Sequence, residues 1–186
     1  MRMKFPRLGT CRNGRGNSGS AAIEFALIAP TFFLLIFAIL ETGLVFFADM
    51  TLENAVQTTG RLIRTGQAQN QNLTQDQFRA ALCDKVSFLL SCDSGSLLID
   101  VRSFTNFGMA GYPQALDAQG NLNPDLNSYQ PGGSSQVNGQ NAIVLVRAFY
   151  KWPLLTPLFG HYFSNMGDGS NLRLISSSVA FKNEPY

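Results

Sequence analysis

Apolar and polar positions divide the chain into three regimes. From Phe25 to Phe47, 18 of 23 residues are apolar, the exceptions being Pro30, Thr31, Glu41, Thr42 and Gly43. At 1.5 Å per residue this run makes roughly 34 Å of helix, close to the hydrocarbon thickness of a bilayer. A soluble helix of that length carries a polar stripe, which this one lacks. Beyond it the pattern becomes amphipathic: Leu52, Ala55, Val56, Thr59, Leu62 and Ile63 recur every three or four positions, with Glu53, Gln57, Arg61 and Arg64 between them. This continuation is predicted to lie on a globular domain and to end near Gly66. Thr74-Gln75-Asp76-Gln77 reads as a capping box opening a second helix, with Phe78, Ala81, Leu82, Val86 and Leu89 on one face.

Three strands are predicted after the helices. In Leu97–Phe104, Leu97, Ile99 and Val101 share one face, and Asp100 and Arg102 the other. Ala142–Trp152 is a near-continuous β-branched and aromatic run, and Leu172–Lys182 alternates Arg173, Ile175, Ser177, Val179 and Phe181 with smaller residues. A long helix, a short helix and then strands imply an α+β domain with a small antiparallel sheet packed on the amphipathic helix. Thr105–Asn141, dense in Gly, Asn, Gln, Ser and Pro, reads as a flexible insertion or a contact loop. Its Asp117–Asp125 stretch offers oxygen ligands for calcium but does not fit EF-hand spacing.

Charge sharpens this organisation. The chain has 186 residues and a net charge of +2, yet residues 1–19 hold five cations and no acid, which leaves −3 for the rest. Cation excess before the apolar run places the amino terminus in the cytoplasm and the carboxy-terminal domain across the inner membrane, in the periplasm. The charge balance argues against nucleic-acid binding by the bulk of the chain, because phosphate affinity needs clustered cations. The organisation is therefore a basic leader at 1–19, a transmembrane helix at 20–47 and an external α+β domain at 48–186. Cys11 lies in the leader. Cys83 and Cys92 lie on the external side, where disulfides persist, and a bend after the second helix would bring them together as one.

Catalytic chemistry is poorly supplied. His161 is the single histidine, and no HExxH, phosphate-binding Gly-rich loop with Lys, or GxSxG is present. No enzymatic activity, metal site or cofactor is expected. The aromatic Phe149–Phe163 stretch serves either core packing or partner docking.

The junction before the apolar run is distinctive. Gly19 is followed by Ser20-Ala21-Ala22-Ile23-Glu24-Phe25, a lone carboxylate entering an apolar helix. A charge so close to hydrocarbon is either interfacial or functional. This junction resembles the processing site of type IV prepilins, in which a peptidase cuts after Gly and Glu occupies the fifth mature position. The resemblance extends through Pro30, Leu40-Glu41-Thr42-Gly43, Asn54-Ala55 and Gly60-Arg61, and is echoed at Phe149–Pro153 and Asn183-Glu184-Pro185. Together these are similar to the TadE-like pseudopilin family of the tight adherence (Tad/Flp, type IVc) pilus system. One departure is Leu44, which follows Gly43 where the family often has Arg.

The resemblance implies cleavage between Gly19 and Ser20 by a prepilin peptidase, which would remove the five leader charges. Glu24 would then pair with the amino terminus of a neighbouring subunit, as a buried charge needs a partner. Glu41 would be either a hydrated residue at the far interface or a second intersubunit position. Pro30 lacks an N–H and is expected to kink the helix around Ala26. The implied role is that of a minor pilin or pseudopilin supporting pilus assembly and adherence, with other pilins and Tad inner-membrane proteins as partners. Two rivals are a single-pass anchored protein whose external domain binds a ligand or envelope partner, and an anchored enzyme.

Overall fold

The computed structural model describes residues 18–109, 111–132, 142–156, 160, 162–167 and 169–185. The leader expected over 1–19, apart from its last two residues, lies outside them, as do Cys11, His161 and residues 133–141 of the long insertion. The chain divides into two compact units, Met1–Phe37 and Ala38–Tyr186.

The first unit contributes the opening of α1 (Ser18–Arg64), which is helical without interruption through Pro30. Its side chains are almost all exposed, among them Phe25, Leu27, Ile28 and Phe32. Phe33 contacts Phe32 edge-on and lies tilted on Phe37, within the helix's own surface.

The second unit is the predicted α+β domain. After α1 come a single turn α2 (Gln67–Asn70), α3 (Gln75–Val86), β1 (Leu97–Phe104), a 3-10 turn at Phe107–Met109, β2 (Ile143–Pro153) and β3 (Leu172–Lys182). The strands form one antiparallel sheet in the order β1-β2-β3, with Val101 opposite Val146 and Val146 opposite Val179. The short α2 was not foreseen. Gly66, left-handed at φ 76°, ends the preceding helix and turns the chain into it.

Each sheet face has its own cover. Ile99, Val101, Val144, Val146, Ala148 and Ile175 meet Ala48, Leu52, Val56 and Ile63 of α1 and Phe78, Leu82 and Val86 of α3 in the main core. Gly60 sets the closeness of that packing: a Cβ there would sit 3.2 Å from both Val179 and Phe181. The other face holds Phe149, Leu98 and Leu174, covered by Leu126, Ala115, Leu116 and Leu122 from the insertion.

The described part of the insertion, up to residue 132, is thus docked on the sheet. Tyr129 forms a parallel bridge to Val101, and the Val101 N–H donates to the Ser128 carbonyl at 2.7 Å.

The start of α3 is closed as the sequence indicates, and the end of α1 by a contact the sequence did not signal. Thr74 and Gln77 exchange both capping-box hydrogen bonds at the start of α3. At the end of α1, the Glu184 N–H donates to the Arg64 carbonyl at 2.9 Å, and the Glu184 carboxylate pairs with Arg64 at 3.1 Å. Cys83 and Cys92 form the expected disulfide, their Cα atoms 5.8 Å apart, closing the bend after α3. There the Ser91 N–H donates to the Tyr150 hydroxyl at 3.1 Å.

Candidate functional site

The first described turn of α1 is exposed among the described residues. Gly19, Ser20 and Glu24 are all exposed, and among the described residues nothing beyond the helix's own backbone comes within 4 Å of the position a Cβ would take at Gly19. The Ser20 hydroxyl donates to Glu24 Oε1 at 3.0 Å, one helical turn apart. These residues begin a helix whose most apolar 18-residue window has a mean hydropathy of 2.4 and no buried residue. Such a surface in water exposes apolar area on a scale that marks an interaction or membrane site. By length and composition this helix can cross a bilayer, consistent with single-pass anchoring.

Glu41 is placed differently from the hydrated expectation. It is 5% exposed, enclosed between α1 and the segment after β2. Its Oε1 accepts hydrogen bonds from the N–H groups of Leu155 at 2.5 Å and Thr156 at 3.2 Å. Those N–H groups follow the end of β2, where the sheet ladder no longer supplies acceptors, and a carboxylate is a strong replacement. Oε2 is buried and has no hydrogen-bond partner among the described residues. The apolar run is therefore not uniform, because from Glu41 onward one side of α1 belongs to the domain.

A second polar centre lies inside the sheet's other face. Asp100 is fully buried and accepts from Arg147 Nε at 3.1 Å and Nη2 at 2.5 Å, from Arg102 Nε at 3.1 Å, and from the Ser128 N–H at 3.1 Å. The two arginines extend the network to the insertion: Arg147 Nη1 donates to the Pro113 carbonyl at 2.9 Å and Arg102 Nη2 to the Asp125 carbonyl at 2.6 Å. The Arg147 guanidinium also lies 4.8 Å from the Tyr112 ring centroid and 5.2 Å from that of Phe149. Every strong group here is engaged by another, so the network holds the insertion on the sheet. The sequence reading placed Asp100 and Arg102 on one face but missed Arg147, a buried cation in the mostly apolar run of β2.

The calcium-like stretch is also internally satisfied. Asp117 Oδ1 accepts from the N–H groups of Gln119 at 2.9 Å and Asn121 at 2.8 Å, and Oδ2 from the Asn121 amide at 3.2 Å. These bonds hold the Asp117 carboxyl below its ordinary range. Gly120 beside it has φ 77° and lies so near Gly167 that a Cβ would overlap its backbone. Among the described residues, no group of three or more histidine, cysteine, aspartate or glutamate side chains is placed to hold a metal ion.

Of the site residues read from sequence, the structure brings Ser20 to Glu24 and Cys83 to Cys92, and turns Glu41 inward. The family model described as TadE-like protein matches residues 19–61, from the Gly19 junction to the Gly60-Arg61 pair. No curated protein and no solved structure matches the chain.

Proposed function

We propose that this chain is a prepilin-like, single-pass membrane subunit of a Tad (Flp, type IVc) pilus system, acting as a minor pilin or pseudopilin in pilus assembly and surface adherence. The observation that carries the reading is that the TadE-like match begins at Gly19, in the first described turn of an exposed apolar helix. A prepilin peptidase cuts after Gly19, removes the five leader cations and leaves Ser20 as the new amino terminus. The helix is then no longer held at the cytoplasmic face by charge and can be drawn from lipid into a bundle of like helices. There the Glu24 carboxylate takes the Ser20 ammonium of a neighbouring copy, in place of the exposed Ser20 hydroxyl it accepts from in the protomer.

The protein is in this reading the substrate of the peptidase and performs no chemistry of its own. Its partners are the peptidase, other pilins and the Tad inner-membrane proteins, with the domain on the periplasmic side.

Amino-terminal mapping of the native protein, with and without the peptidase, tests this. The expected result is a terminus at Ser20 only when the peptidase is present, and loss of processing and of surface attachment in Gly19→Trp. A chain that keeps Met1 in cells holding an active peptidase overturns the reading and leaves an anchored envelope protein.

A further inference from the structure

From Glu41 to Met50, α1 has two different neighbours at once. Glu41, Val45, Ala48 and Leu52 turn toward the domain and lie in or against its core. The opposite side carries Phe46, Phe47 and Met50, with Met50 70% exposed. That side turns polar only at Glu53, Asn54 and Gln57, and Asp49 on the flank between the two sides is half-buried. The stretch from Glu41 to Met50 is about 14 Å of helix, about half the thickness of a hydrocarbon core. Over that length the domain lies beside a helix surface with the character of a lipid-facing span.

The part of the domain at this level carries exposed apolar side chains of its own. Leu155, whose N–H is held by Glu41, is 69% exposed. Phe88, just past α3, is 70% exposed, and its ring meets that of Phe47 edge-on with centroids 6.3 Å apart. Pro153 beside Leu155 is also exposed, and the Pro153–Thr156 segment has no charge.

We propose that this rim of the domain, carried by Leu155 and Phe88, sits within the lipid leaflet on the domain's side of the membrane. The occupant of the patch is lipid because Phe88 meets Phe47 on the exposed apolar surface that α1 carries at Phe46, Phe47 and Met50, and Leu155 is held to the same stretch of α1 through Glu41. Burial of such side chains at the acyl-chain boundary is how amphipathic elements hold to a membrane surface. The domain is then seated in the bilayer as well as tethered to it, and Glu41 satisfies the N–H groups of Leu155 and Thr156 where water is scarce. This inference rests on the membrane anchor of the proposed function.

The test uses the full-length chain with Trp152→Phe, carrying a single tryptophan at Phe33, Phe88 or Leu155, in phosphatidylethanolamine/phosphatidylglycerol nanodiscs. Brominated acyl chains are expected to reduce emission at least twofold at all three positions relative to unbrominated lipid. If Phe33→Trp is quenched while Phe88→Trp and Leu155→Trp are not, the rim lies outside the bilayer: the inference is overturned and the anchor stands. If Phe33→Trp is also unquenched, the anchor reading falls with it. Probes at 88 and 155 that ignore brominated lipid but shift to shorter wavelength as protein is concentrated mark a second copy as the occupant, which also overturns the proposal.

Discussion

Gly60 and Asp100 show how much single positions contribute, each for a different reason. Gly60 lies where α1 crosses β3, with Val179 and Phe181 3.2 Å from where a Cβ would go. Gly60→Val should therefore force the helix off the sheet and cost about 1–3 kcal/mol, read as a lower midpoint in urea unfolding followed by circular dichroism. Asp100 is the sole carboxylate facing Arg147 and Arg102 in the network described. Asp100→Ala leaves the buried Arg147 without its counter-charge, and a loss of about 3–5 kcal/mol is expected in the same measurement. Glu41→Ala removes the acceptor for two backbone N–H groups, so faster hydrogen exchange at Leu155 and Thr156 should accompany a loss of about 1–3 kcal/mol.

Titration at the residue scale has a definite sign at Asp117. Its folded carboxyl is held below the ordinary 3.8 by the N–H groups of Asn121 and Gln119. The tightening of that turn is complete above the unfolded value and is lost as pH falls through the depressed one. Amide exchange at Gln119 and Asn121 should be independent of pH-driven loosening at neutrality and should reveal the opened turn only in acid. Tyr129 lies at the other end of the scale: burial pushes its hydroxyl up to about 12, so its contribution fades only as pH rises from 10 toward that value.

Among the elements, those with a local signal were legible and those held by distant contacts were not. The Thr74–Gln77 box fixed the start of α3, and β1 runs over the same Leu97–Phe104 as the alternation indicated. The face of β3 read from Ile175, Val179 and Phe181 is the one that packs on α1. The insertion was harder, because its turn-rich composition shows no period. Its order comes from Arg147 and Arg102, which grip the Pro113 and Asp125 carbonyls from strands remote in sequence. Glu41 was harder for the same reason, since its partners Leu155 and Thr156 are more than a hundred positions away. The disulfide sits between these cases: its spacing suggested closure, and the bend after α3 supplies it. Cys83→Ser should lower stability by about 2–3 kcal/mol in an oxidising buffer and have little effect under reduction, a difference that paired urea titrations would display.

At the scale of the whole molecule, chain order and packing order run in opposite directions. The domain half of α1 is made early, yet it rests on β3, and its last carbonyl is capped by Glu184 beyond that strand. Until β3 has been made, Leu52, Val56 and Ile63 have only part of their cover. Folding of the domain must therefore wait for β3, and in the topology proposed above a chain truncated before Leu172 should be exported unfolded and degraded rather than accumulate.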